Sequence, residues 1–321
     1  VTDMRYRRLG RSGLPVSVLG IGCNNFGGRI DATQAAEVVH AALDHGVTLF
    51  DTADVYGNAP GDSERTLGAS LGKRRDEAVV ATKFGMDVRG AYGPDWGARG
   101  SRRYIFRAVE ASLRNLGTDY IDLYQLHAPD PETPIEETLG ALDDLVRSGK
   151  VRYLGHSNFT GWETADAAWV AGTKQLTPFV SAQNRYSLLH REPEQELVPA
   201  AQRFGLGLLP YFPLASGLLT GKYHRGESAP VGSRLDRVGY AKVLAEAPWD
   251  VIERLEAFAH EHGIDLLTLA IGALAAKPAV ASVIAGATSA AQVAANVAAV
   301  SWQPSEDDMK ALDELLKGNE R

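Results

Sequence analysis

The chain has 321 residues, 45% of them hydrophobic and 23% charged, and a net charge of −7 from 33 basic and 40 acidic side chains. That balance suits an ordinary globular protein and argues against a nucleic-acid binder, which carries a basic face. The single cysteine, Cys23, excludes an intrachain disulfide and a cysteine zinc cluster, and the most continuous apolar run, residues 266–276, is too short to span a bilayer. No signal-peptide pattern opens the chain, so the cytoplasm is the expected location.

In chain order, short apolar runs alternate with longer stretches of helical period. Residues 4–8 and 14–18, either side of Arg11-Ser12-Gly13, read as a hairpin. Residues 16–22 read as the first strand, and a helix over 33–45 follows, capped by Asp31 or Thr33. Further strands are predicted at 47–50, 78–82, 121–126, 151–155, 179–183, 206–211 and 280–285. The helices between and after them are predicted at 63–71, 101–116, 135–147, 161–170, 194–204, 243–262, 266–276 and 290–300. A last helix begins at Ser305, where Asp308 completes a capping-box pattern, with Gly318 near its stop. Eight strand-plus-helix units imply parallel crossovers. The predicted fold is therefore α/β, a (β/α)8 TIM barrel with an N-terminal β-hairpin plug and extra C-terminal helices, in one domain over residues 1–321. A doubly wound open sheet is the alternative, but Gly20-Ile21-Gly22 lacks the third glycine of a dinucleotide fingerprint. Two polar stretches, 85–100 and 221–240, have no period and read as functional or mobile loops.

The reactive face of such a barrel lies at the carboxyl ends of its strands. Three successive predicted strands end in Asp51, Lys83 and His127, and Tyr56 follows on the loop after the first of them. Each residue alone has a plainer explanation: a turn cap, a solvated charge, a structural histidine, a packed loop aromatic. Together they describe a proton-transfer group. An ammonium beside a phenol favours the phenolate, a carboxylate fixes the ammonium, and a histidine orients a bound oxygen or shuttles a proton. Coupled to hydride transfer, that is carbonyl reduction. Later strand ends supply Ser157, Asn158 and Gln183, an amide-recognising set, and Tyr211, a stacking face. The stretch 215–222 imitates a P-loop but has the wrong glycine spacing, and Tyr223 stands where Ser or Thr is needed. Lys222, Arg234 and the turn at 286–289 are candidates for holding phosphate. No metal site is expected, because His260-Glu261-His262 lacks zinc spacing.

These residues fall in stretches that together resemble the aldo/keto reductase family over nearly the whole chain. The stretches are Phe50-Asp-Thr-Ala-Asp-Val-Tyr-Gly57, Ala81-Thr-Lys-Phe84, Asp122-Leu-Tyr-Gln-Leu-His127, Gly155-His-Ser-Asn158, residues 212–222 and residues 286–292, then Asn296. The resemblance points to the branch that holds potassium channel β subunits and bacterial glyceraldehyde-phosphate reductases. It implies an extended NADPH, with NADH as the alternative, on a barrel. It implies Tyr56 as proton donor with Asp51, Lys83 and His127 as its partners. It sets Ser157, Asn158 and Gln183 at the nicotinamide carboxamide and Tyr211 against the ring. Phe212, Pro213, Leu214, Ser216, Gly217, Lys222 and Arg234 fall where the family holds the diphosphate and ribose phosphate. Gly286, Thr288, Gln292 and Asn296 fall at the adenosine end. Thr288 and Ser289 stand where many members carry an arginine, and Ala295 where channel relatives carry a glutamate.

The expected activity is NADPH-dependent reduction of aldehydes or ketones, a small carbonyl compound being the partner. The rival is a cofactor-sensing subunit with little or no turnover, and a barrel hydrolase is a weaker third reading. Asn24, Tyr92, Trp96 and Phe159 are candidates for the substrate wall. Neither a nucleic-acid nor a membrane partner is expected, and a homo-oligomer is compatible with the sequence.

Overall fold

The structure, a computed structural model, describes residues 4–237 and 239–317; the expected stop at Gly318 lies outside them. The chain opens with the antiparallel hairpin of β1 (Tyr6–Arg8) and β2 (Pro15–Ser17), in which Arg7 pairs with Val16. Eight parallel strands follow: β3 (Leu19–Gly22), β4 (Leu49–Asp51), β5 (Val79–Phe84), β6 (Ile121–Leu126), β7 (Val151–Ser157), β8 (Phe179–Gln183), β9 (Gly207–Leu208) and β10 (Val283–Gly286). They are paired in that order, with β10 on the free side of β3. Parallel bridges Leu208–Val280 and Tyr211–Ile284 join the two ends of the sheet, so the strands form a (β/α)8 barrel.

Helices α1 (Ala32–Asp44), α2 (Asp62–Leu71), α3 (Arg102–Leu116), α4 (Ile135–Arg147), α5 (Gly161–Lys174) and α6 (Leu197–Phe204) each follow one strand from β3 to β8. The capping residues explain several of the starts. Asp31 and Thr160 each form a reciprocal capping box, with Gln34 and Glu163, and Ser101 accepts the Tyr104 N–H. After β9 the expected helix over 243–262 is instead two helices, α7 (Ala241–Ala245) and α8 (Trp249–Glu261). Pro248 separates them, because it has no N–H to continue the ladder. The apolar α9 (Leu266–Ala276) packs beside α10 (Ala290–Val300), which follows β10, and the capping box of Ser305 and Asp308 opens α11 (Glu306–Leu316).

Three apolar clusters hold these layers. The largest lies between strands and helices. A second joins α8, α9 and α11 to the loop at 221–240, which it anchors through the buried Tyr223 and Leu235. The third fills the barrel, where Leu9 and Val16 of the hairpin region meet Leu49, Leu123 and Leu209. The Arg11 N–H donates to the carbonyl of Gly205, just before β9. The hairpin therefore seals the amino-terminal end of the strands and leaves the carboxyl-terminal rim open.

Candidate active site

Three adjacent strands aim polar side chains at the open rim. Asp51 ends β4, Lys83 lies one residue from the end of β5, and His127 follows β6 directly. Lys83 is fully buried and its Nζ donates to Asp51 Oδ2 at 2.7 Å and to the Thr52 carbonyl at 2.8 Å. The second carboxylate oxygen, Oδ1, accepts from Gln183 Nε2 at 2.8 Å and from Gln125 Nε2 at 3.3 Å. A buried charge of either sign is costly unless paired and hydrogen-bonded, and here each sign satisfies the other. The Lys83 ammonium stands 5.0 Å from the centroid of the Tyr56 ring. His127 meets that ring in an edge-on arrangement, with centroids 5.7 Å apart.

Burial dominates the proton affinities. It raises the Tyr56 phenol above its ordinary value, and the nearby Lys83 offsets only part of that rise. The expected net fall for the phenol is thus reversed: Lys83 pulls downward as anticipated, but desolvation pulls harder. Tyr56 stands as a neutral acid. Burial favours loss of the Lys83 proton, yet Asp51 and Tyr56 outweigh it and hold the amine above its usual value. His127 is pushed down to about 3, by burial and then by Lys83, so its imidazole is neutral. Its Nδ1 is buried and has no partner among the described residues.

A cavity of about 510 Å³ opens above these groups. Asp51, Tyr56 and His127 line it, and Lys83, fully buried, does not. Ser157, Asn158 and Gln183 line it next, already tied together: Ser157 Oγ donates to the Gln183 carbonyl at 2.7 Å and Asn158 Nδ2 to the His127 carbonyl at 2.9 Å. The Tyr211 hydroxyl donates to Asn158 Oδ1 at 2.8 Å, which fixes the ring against the cavity. Phe212, Pro213, Leu214, Ser216, Gly217, Lys222 and Arg234 also line it, as do Gly286, Thr288, Gln292 and Asn296. Phe212, Ala215 and Ser216 adopt left-handed backbone angles, with φ of 53°, 46° and 62°. Strain of this kind in non-glycine residues concentrates where a loop is shaped for a ligand.

Of the four residues expected at the substrate wall, only Asn24 lines the cavity. Phe159 is buried, stacked on His156 with centroids 4.4 Å apart. Trp96 is 76% exposed beneath the Arg103 guanidinium, and Tyr92 packs on Tyr104. The apolar demand of the core takes Phe159, and the loop at 85–100 carries the other two away from the opening. Met86, from the start of that loop, does reach the cavity, as do Asn25, Arg29, Thr220 and Leu267. No spacing or period in the sequence marks these five. The signal for Arg29 is a physical one, a basic side chain on the loop leaving a barrel strand.

The pattern of the aldo/keto reductase family matches residues 18–317. The chain is 37% identical over 311 residues to a probable voltage-gated potassium channel subunit beta of Arabidopsis thaliana, covering 94% of this chain and 92% of that protein. It is 35% identical to the uncharacterized oxidoreductase YrpG of Bacillus subtilis, covering 98% and 97%. It is 34% identical to the L-glyceraldehyde 3-phosphate reductase of Escherichia coli K12, covering 93% and 88%.

Proposed function

The chain belongs to the aldo/keto reductase family and is an oxidoreductase, and from that premise we propose that it reduces aldehydes or activated ketones to alcohols, with NADPH as the reductant. The cavity suits a dinucleotide. Its lining includes a flat aromatic face, Tyr211, a set of amides, a strained loop with Lys222 and Arg234, and a small-residue turn. When bound, the reduced nicotinamide supplies a hydride to the carbonyl carbon. The chain's own residues manage the proton. Tyr56 gives its phenol hydrogen to the carbonyl oxygen, and the phenolate left behind is stabilised by Lys83, which Asp51 holds charged. Neutral His127 serves as a hydrogen-bond donor that orients the oxygen, since an imidazole with its pKa near 3 keeps one N–H but lacks the acidic proton of an imidazolium.

The observation that carries this reading is the buried Asp51–Lys83 pair beside the ring of Tyr56, which lines the cavity. The test is titration of the purified chain with NADPH and NADH, then a panel of aldehydes and ketones. Many turnovers per protein molecule support the proposal. The relatives described as channel β subunits favour a second reading, a cofactor sensor. It predicts oxidation of a single equivalent of bound cofactor and no sustained rate.

A further inference from the structure

Two buried carboxyl groups take no part in the chemistry proposed above. Asp54, just after Asp51 in sequence, and Glu64, in the first turn of α2, are both fully buried. Their surroundings differ. Glu64 Oε1 accepts from Thr82 Oγ1 at 2.7 Å, and Oε2 accepts from Asn115 Nδ2 at 2.9 Å. Neither carboxyl oxygen of Asp54 has a hydrogen-bond partner among the described residues. The Asp54 backbone, by contrast, is engaged on both sides. Its N–H donates to the Lys83 carbonyl at 3.1 Å, and its carbonyl accepts the Gly61 N–H at 2.7 Å. Those two bonds close the loop at 54–61 and fasten it to β5, and Tyr56 rides on that loop.

A carboxylate stripped of water and offered no side-chain donor takes up a proton rather than keep its charge. The titratable groups within electrostatic reach of Asp54 are Glu64 of α2, Lys83 of β5, Tyr92 of the loop at 85–100, Tyr104 of α3 and Tyr124 of β6. Burial raises all three phenols, so they stay neutral, and only Glu64 and Lys83 act on Asp54 as charges. Burial raises the Asp54 carboxyl most and the Glu64 charge raises it further, while the Val55 N–H and Lys83 offset only part. Of the two carboxyls, Glu64 has the donors and is the better placed to hold charge; Asp54 holds the proton. We infer that Asp54 is a positioning residue for Tyr56: as an uncharged acid it stays inside and seats the loop at 54–61 against Lys83. An ionised Asp54 would have to move outward to be hydrated, and the loop would move with it. The effect on rate rests on the proposed reduction; the protonation of Asp54 does not.

Urea unfolding of the full chain beside Asp54→Asn tests the protonation without turnover. Asparagine keeps the uncharged shape but has no proton to lose. A neutral Asp54 ionises on unfolding at any pH above about 4, the ordinary aspartate value. The stability tied to its proton is whole below that pH and is lost as pH rises towards the folded value. The unfolding constant of the unaltered chain, divided by that of Asp54→Asn, should therefore rise about tenfold per pH unit from about pH 4 to about pH 7. A ratio that falls, or levels off well below about pH 7, overturns the inference, because an ionised Asp54 is then accommodated in the fold. Steady-state reduction and NADPH titration at neutral pH test the positioning. Asp54→Ala is expected to lower kcat about tenfold or more with the NADPH dissociation constant changed less than about twofold, and Asp54→Asn to restore most of that rate. No loss in Asp54→Ala, or a rate in Asp54→Asn equally low, refutes the positioning role. Should Asp54→Ala fail to fold, the rate of Asp54→Asn decides alone: a rate near that of the unaltered chain supports the role, and a loss of about tenfold refutes it. A rising ratio in a chain that shows no sustained reduction would keep the neutral Asp54 and refute the proposed activity.

Discussion

Tyr56 is subject to two opposed influences, and their balance decides its role. Burial keeps the phenol protonated, and in the proposed reduction Lys83 stabilises the anion formed as the proton leaves. A donor of this kind does not need a low resting pKa; it needs a cation already in place when charge develops. Replacing Lys83 with Met removes that cation but nothing that lines the cavity. The expected result is a fall in kcat of about 10²- to 10⁴-fold with the dissociation constant for NADPH little changed, read by steady-state kinetics beside a binding titration. His127 supplies a second test. With its pKa near 3, the imidazole stays neutral as pH falls from 8 to 5 and titrates only well below that range. Its ring resonances in NMR should therefore not move over that interval, and the decline of reduction rate in mild acid should not follow this residue. A ring that titrates near 6.5 would remove the argument for a neutral orienting donor.

At the scale of elements, the strands that carry the site are packed without slack. A Cβ on Gly155 of β7 would stand 2.3 Å from Ser181 Oγ on β8 and 3.1 Å from Gln125 Cγ on β6. Gly155→Ala is expected to destabilise the fold by about 1–3 kcal/mol through overpacking, seen as a lower midpoint in urea with an unchanged slope. The elements also show what the sequence could and could not convey. The strand at 121–126 and the helices at 135–147, 266–276 and 290–300 were readable residue for residue, because apolar period and flanking punctuation agree there. The helix at 243–262 was not, since apolar residues continue across Pro248 while the backbone ladder does not. The catalytic candidates were legible as ionisable residues at strand ends. The wall residues were not, because side chains on loops are placed by tertiary contacts that leave no period. Phe159 illustrates the limit, since its aromatic ring serves a core and a pocket equally well.

The whole molecule divides its labour between two ends. One end is sealed by the hairpin, whose Leu9 is fully buried with Leu49, Leu123 and Leu209, and the other is left open for chemistry. Leu9→Ala should therefore cost about 2–5 kcal/mol of stability in denaturant melts and leave KM for an aldehyde unchanged below the melting range. A shift in KM would mean that the two ends are mechanically linked. The account as a whole rests on Tyr56 delivering the hydrogen that the carbonyl oxygen receives. The most direct measurement is the rate of NADPH consumption with 4-nitrobenzaldehyde in Tyr56→Phe, beside the affinity of that variant for NADPH. The account predicts intact binding with a rate reduced about 10²- to 10⁴-fold. Intact binding with a rate near that of the unaltered chain would contradict it.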